Sequence, residues 1–196
     1  MIKRILIVIA VIISCIGVFY LINHTTTAKL NTAIVKNNTK VALKIIKKSD
    51  KATLNKSNQH YVDYIYDSIF NIDSSRGYPL ALAAKMGNYE IVKALVDKGV
   101  NVNVRTLEIK DTPLILSLKS KSTDKYKIAN YLIDNGAKIK YKNRQDKTAI
   151  YYAWEQNANI LINDEIEKER LDCIEKCKDA LGEDDIEQYI KRDYNE

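Results

Sequence analysis

Between Gly77 and Asn103 the chain lays down two short apolar faces separated by glycine punctuation. Pro79 and Leu80 open a run in which Leu82, Ala83 and Ala84 crowd together, and Gly87-Asn88 interrupts it. Ile91, Val92, Leu95 and Val96 then return at three- and four-residue intervals, the spacing that gathers side chains on one face of a helix. Gly99 stops this second helix, because glycine takes the left-handed conformation that ends one without steric cost. Val100-Asn101-Val102-Asn103 alternates apolar and polar, as an extended segment does, so Val102 is expected to pack inward.

The pattern restarts. Asp111-Thr112-Pro113-Leu114 opens a second unit 34 residues after Pro79. Ile128, Tyr131, Leu132 and Ile133 form its helical face, Gly136-Ala137 closes it and Ile139 is expected to point inward. Pro113 to Gly136 spans 23 residues against 20 from Pro79 to Gly99, which places an insert near Lys119 to Lys125. Asp146-Lys147-Thr148-Ala149-Ile150 opens a third unit. Upstream, Leu30, Ala33, Asn38, Val41, Ala42, Ile45 and Ile46 align with Leu80, Ala83, Asn88, Ile91, Val92, Leu95 and Val96 at a constant offset of 50. That offset is one unit plus roughly 17 residues between Asn55 and Asp73. Within the insert, Tyr61, Val62, Ile65, Tyr66, Ile69 and Phe70 make a helical stripe that suits packing on the first two units; Tyr64 lies off it and suits contact.

This punctuation resembles the ankyrin repeat, a helix–turn–helix unit of about 33 residues with a projecting loop. Residues 77–103 carry the resemblance most fully, 111–137 well, and 30–54 and 146–162 more weakly. Ala149 stands where the family has Pro, Tyr151 where it usually has His, and Ala153 and Trp154 replace the small Ala pair. One such unit cannot bury its own apolar face, so neighbours must be stacked on it. The resemblance therefore implies an all-α solenoid of about four repeats over 28–162, with the insert near 56–73. After it, Ile166, Arg170, Cys173, Ile174, Cys177 and Leu181 share one side of a helix whose other side is charged, and Gly182 ends it. A polar outer face is what a terminal cap needs, so 163–196 reads as capping helix and acidic tail.

The first 27 residues stand outside the repeats. Lys3-Arg4 precede Ile5 to Ile22, eighteen residues without a charge. As a helix they span about 27 Å, close to a bilayer core and longer than an ordinary secretory segment. The expectation is an uncleaved signal anchor: one transmembrane helix, N-terminus cytoplasmic, repeats periplasmic or extracellular. Two other readings stand beside it. Thr26-Thr27-Ala28 fits cleavage and secretion, and Ile12-Ile13-Ser14-Cys15 resembles a bacterial lipobox with Cys15 as the lipidated residue.

Charge divides the chain. Residues 28–162 hold 23 Lys and Arg against 12 Asp and Glu, a net of +11; residues 163–196 hold 6 against 13, a net of −7. A basic array attracts acidic proteins or anionic surfaces and also keeps an extended solenoid soluble. No nucleic-acid motif accompanies it, and no nucleic-acid partner is expected. The abundant Ile, Lys, Asn and Tyr match an AT-rich bacterial genome. No Gly-rich phosphate loop, nucleophile elbow or metal-ligand spacing is visible, and His24 and His60 are the only histidines. Cys173 and Cys177, four apart on one helix face, suit packing; a metal would need more ligands and a disulfide different geometry. The chain is expected to be neither an enzyme nor a cofactor protein.

The family resemblance implies a protein partner, bound on a concave surface of loop tips and first helices. The tips are Val104 to Lys110 and Lys140 to Arg144, with Arg105, Glu108, Lys110 and Arg144 as contacts. Ala81, Lys85 and Met86 would join from one repeat, Ile115 and Lys119 from the next, and Tyr151 and Glu155 from the last. The expected function is a membrane-tethered adaptor or scaffold. Two alternatives are an immunity-type inhibitor of a toxin in the same compartment and Lys-mediated binding to an anionic envelope surface.

Overall fold

The computed structural model describes residues 26–57, 77–107, 109–154 and 164–181. The expected anchor (5–22), the Tyr-rich stripe, Glu108, Glu155 and the tail after Leu181 lie outside these residues. Among the described residues every regular element is a helix, and none is long and apolar enough to cross a membrane.

The helices are α1 (Thr26–Val35), α2 (Thr39–Lys48), α3 (Lys51–Leu54), α4 (Pro79–Met86), α5 (Tyr89–Asp97), α6 (Pro113–Leu118), α7 (Lys125–Asp134), α8 (Ala149–Trp154) and α9 (Asp164–Leu181). They form two layers. α1, α4, α6 and α8 pack side by side as an inner row; α2, α5, α7 and α9 form the outer row. Each inner helix also packs on the outer helix that follows it. α9 thus fills two roles. It pairs with α8 as the outer helix of the last unit, lies against α7, and closes the row.

Local chemistry fixes the ends. Asn38 and Asn88, aligned in the sequence, each accept from the backbone N–H three residues on, at 3.1 Å, capping α2 and α5. Thr112 caps α6 through Ile115 N at 3.2 Å, and Pro79 and Pro113 occupy first-turn positions where no donor is lost. Gly99 and Gly136 are left-handed at φ 73° and 87°, and Asn37 takes the same region at 50° in the first unit. Ala83 and Ala84 are fully buried, which lets the inner and outer helices approach closely.

Side-chain bonds between units show that the inner helices run parallel. Asn88 Nδ2, in the turn after α4, donates to Asn37 Oδ1 (3.1 Å) and Thr39 Oγ1 (2.9 Å), in the turn after α1. Ser122 Oγ, after α6, donates to the Gly87 carbonyl at 3.1 Å. The C-termini of α1, α4 and α6 therefore lie together, and their N-termini share the end from which the loops project.

Two expected faces differ in detail. Val41 is 43 % exposed while its counterpart Ile91 is fully buried. Among the described residues α2 has an outer-row neighbour on one side alone, so a residue that is interior in α5 becomes an edge residue here. In α7 the buried set is Lys125, Tyr126, Ile128, Ala129, Asn130 and Leu132, with Tyr131 and Ile133 half-buried. The face is rotated because α9 covers the Tyr126–Asn130 side.

Candidate interaction surface

The loops are held by backbone and side-chain bonds, not by their tips. Val100 and Ile139 are buried and Val102 is half-buried, as expected; Ala137 is buried too, and so is Val104, contrary to its expected place in the tip Val104 to Lys110. Thr106 N donates to the Asp111 carbonyl at 2.9 Å, and Asp111 N to Thr106 Oγ1 at 3.0 Å, closing the first loop on itself. The second loop closes similarly through Asn143 N to the Lys147 carbonyl at 3.0 Å. Lys110 and Asp146 hold φ of 61° and 60°, each three residues before its inner helix.

The two loops are also joined to each other. Arg144 N donates to the Ile109 carbonyl at 2.8 Å. Arg105 Nη2 donates to the Lys142 carbonyl at 2.7 Å, with its guanidinium 5.6 Å from the Tyr141 ring centre. Asn103 accepts from Lys138 N at 2.7 Å and donates to the Gly136 carbonyl at 3.0 Å. The result is a braced platform rather than two independent fingers.

Beneath it lies a polar cluster that the sequence reading missed. Asp111, 2 % exposed, accepts from Lys119 Nζ and from Asn143 Nδ2, each at 2.8 Å. Asn143 also donates to Tyr152 Oη at 3.2 Å, and Tyr152 Oη donates to Gln145 Oε1 at 3.3 Å. Lys119 Nζ sits 5.2 Å from the Tyr152 ring centre. A buried carboxylate is costly unless paired and hydrogen-bonded. Lys119 meets that requirement. The one available signal was the Asp before Thr-Pro, facing a Lys eight residues later.

The expected contact residues therefore separate. Ala81 and Ile115 are 2 % and 1 % exposed, so neither offers a contact, contrary to expectation. α4 and α6 are so short and so enclosed that the first six residues of each are all buried. Lys119 is half-buried and ion-paired, and Arg105 is exposed but spends its guanidinium on the neighbouring loop. Met86 is 41 % exposed at the end of α4, with Lys85 half-buried beside it. Arg144 is exposed and Lys110 half-buried, and neither side chain has a partner among the described residues. Tyr151 is half-buried, edge-on to Tyr152 at 5.1 Å, with Lys147 Nζ 3.7 Å from its ring centre.

On the opposite, outer face a second aromatic group ties α5 to α7. Tyr89 and Tyr131 meet edge-to-face at 5.7 Å, and Tyr131 Oη donates to Asp97 at 2.8 Å. That bond, and then the Lys93 ion pair at 3.0 Å, hold the Asp97 carboxyl below the usual carboxylate range. Burial, followed by the bond to Asp97, raises the Tyr131 phenol.

On α9, Cys173 and Cys177 are fully buried and free. The bond between the two thiols, with burial, pushes the Cys173 thiol well up, which suppresses thiolate chemistry. Among the described residues no group of three His, Cys, Asp or Glu could hold a metal ion.

A family model described as ankyrin repeats, in three copies, matches residues 18–143 and 80–172. No curated protein matches the sequence.

Proposed function

We propose, from the premise that the chain belongs to the ankyrin-repeat family, that it is a membrane-tethered module binding one protein partner on the inner side of its array. Proteins built from these repeats typically mediate protein–protein interaction and are not enzymes. The observation that carries the reading is the exposed Met86 at the C-terminal end of α4, on an inner row whose opposite end is fixed by the braced loops. The loops are fixed through Arg144 N and the Arg105 guanidinium, so the side chains of Lys110 and Arg144 are positioned without being needed to close the fold. A surface fixed beforehand loses less freedom on binding. Met86 and Lys85 supply the apolar and long flexible contacts, Tyr151 the aromatic one, and Arg105, Lys110 and Arg144 border the face. Arg105 and Lys119 shape this surface more than they touch a partner.

The tether is residues 5–22, with Lys3-Arg4 holding the N-terminus in the cytoplasm and the repeats on the outer side. Tethering raises the effective concentration of the module toward other membrane-bound proteins. An adaptor or scaffold at the outer side of a bacterial inner membrane fits these features.

The test pairs Met86→Asp with Lys110→Glu and compares them with Lys40→Glu and Lys44→Glu, exposed positions on α2. Both pairs should change stability by less than about 1 kcal/mol. Affinity for the partner recovered by crosslinking the membrane-embedded chain should fall by more than ~1 kcal/mol for the first pair alone. Equal losses would make total charge the determinant and remove the face from the account.

A further inference from the structure

The tip of the first loop carries two large apolar side chains in the open. Leu107 is 48 % and Ile109 39 % exposed, among the most exposed large apolar residues described. They flank Glu108 on a loop whose base is closed by Thr106 and Asp111 and braced by Arg144 N. The two loops carry Arg105, Lys110, Lys138, Lys140, Lys142 and Arg144 in a stretch whose acidic residues near the tips are Glu108 and Asp146; Arg144 N on the Ile109 carbonyl joins the second loop to the first, and Asp146 is already paired with Lys142 at 3.2 Å. Lys110, Lys140 and Arg144 have no side-chain partner among the described residues.

An apolar tip on loops rich in cations that have no side-chain partner among the described residues fits a surface with an anionic polar layer over an apolar one. A bilayer containing anionic lipids has that layering. The topology adds direction. The inner helices run parallel, with their N-termini at the loop end, so the chain upstream of Thr26 leaves α1 at the end of the array that bears the loops. If residues 5–22 span a bilayer, that end is the one nearest it.

We propose that the loop tip seats on an anionic lipid surface. Leu107 and Ile109 enter the boundary between headgroups and acyl chains, and Lys140 and Arg144 meet lipid phosphates. The inference goes beyond the protein-contact reading and takes its orientation from the tether. It divides the array: Leu107, Ile109, Lys140 and Arg144 rest on lipid, and the inner side with Lys110, Met86 and Tyr151 is left for a protein.

The full chain, reconstituted as a membrane protein, tests this with an indole introduced at the tip as Leu107→Trp or, separately, Ile109→Trp. Its fluorescence is read as the difference from the native chain, whose only tryptophan is Trp154. Brominated phosphatidylcholine is the quencher, in vesicles of phosphatidylcholine alone or mixed with phosphatidylglycerol. The expected result is quenching in the mixed vesicles that weakens several-fold without phosphatidylglycerol and again with Lys140→Glu and Arg144→Glu, each charge contributing about fivefold near such a surface. Equal quenching with and without phosphatidylglycerol would overturn the anionic-surface assignment. Alkaline extraction separates the tether. A chain that resists extraction while the new indole stays unquenched keeps the tether, removes the lipid seat and leaves the tip to a protein. A chain that alkali releases, yet whose indole is quenched on added mixed vesicles, keeps the seat and loses the tether.

Discussion

Gly87 carries two constraints at one position. It is left-handed at φ 69°, and a Cβ there would lie 2.1 Å from Ser122 Cβ. The insert after α6 rests on this glycine, with Ser122 Oγ bonded to its carbonyl at 3.1 Å. Gly87→Ala should therefore cost about 2–4 kcal/mol, combining the left-handed penalty with overpacking against the neighbouring unit. Gly77→Ala, where an added Cβ meets nothing within 4 Å among the described residues, is the control and should be near neutral by denaturant titration. Glu169 makes a pH prediction. Burial raises its carboxyl above the usual value. An acid whose pKa is raised on folding favours the folded state below the unfolded pKa and loses that contribution as pH rises through the folded value. Glu169→Gln should accordingly raise the melting temperature at pH 7 and lose its advantage below about pH 4. An equal gain at both pH values would mean that ionisation is not the cause. Single residues were partly legible in the sequence: Asn38 and Asn88 were aligned, and both are caps. The Asp111–Lys119–Asn143–Tyr152 cluster was not, because its members come from two units and charge alone suggested exposure.

Among the elements, α9 shows most about how the array ends. Its sequence gave the buried side correctly: Ile166, Cys173, Ile174, Cys177 and Leu181 are all buried, and Arg170 bonds Glu167 at 2.6 and 2.8 Å at the edge. Its place in the fold could not be read from that stripe. An amphipathic helix covers whichever apolar surface remains, and here that surface belongs to both α7 and α8. Cys173 and Cys177 should thus be closed to thiol reagents at pH 8 in the folded protein and open in denaturant. Rapid labelling of either in the folded state would show that α9 detaches readily. Leu132→Ala on α7, at a fully buried position, should cost about 2–5 kcal/mol. The shift of the α7 face has the same origin. Lys125 looked like part of a polar insert, yet it is 2 % exposed, since the helix begins there and turns Tyr126 toward α9.

At the scale of the molecule, the repeated punctuation was enough to predict an all-helical array, because a unit that cannot bury its own face demands neighbours. The shape of the contact surface was less legible. The inner helices are enclosed through Ala84 and Leu118, which removes Ala81 and Ile115 from it. The loops are joined by bonds such as Arg144 N to the Ile109 carbonyl, and a pairing of backbone groups 35 positions apart leaves no mark in side-chain pattern. The proposed function requires that one side of the array receives a protein. A photoreactive amino acid placed at Met86 on the inner row, and in a second chain at Leu171 on α9, measures it directly in native membranes; both positions are exposed, at 41 % and 54 %. The account predicts one discrete adduct from position 86, lost when unlabelled chain competes and absent from position 171. Adducts of the same size and yield from both positions, or from 171 alone, would contradict it.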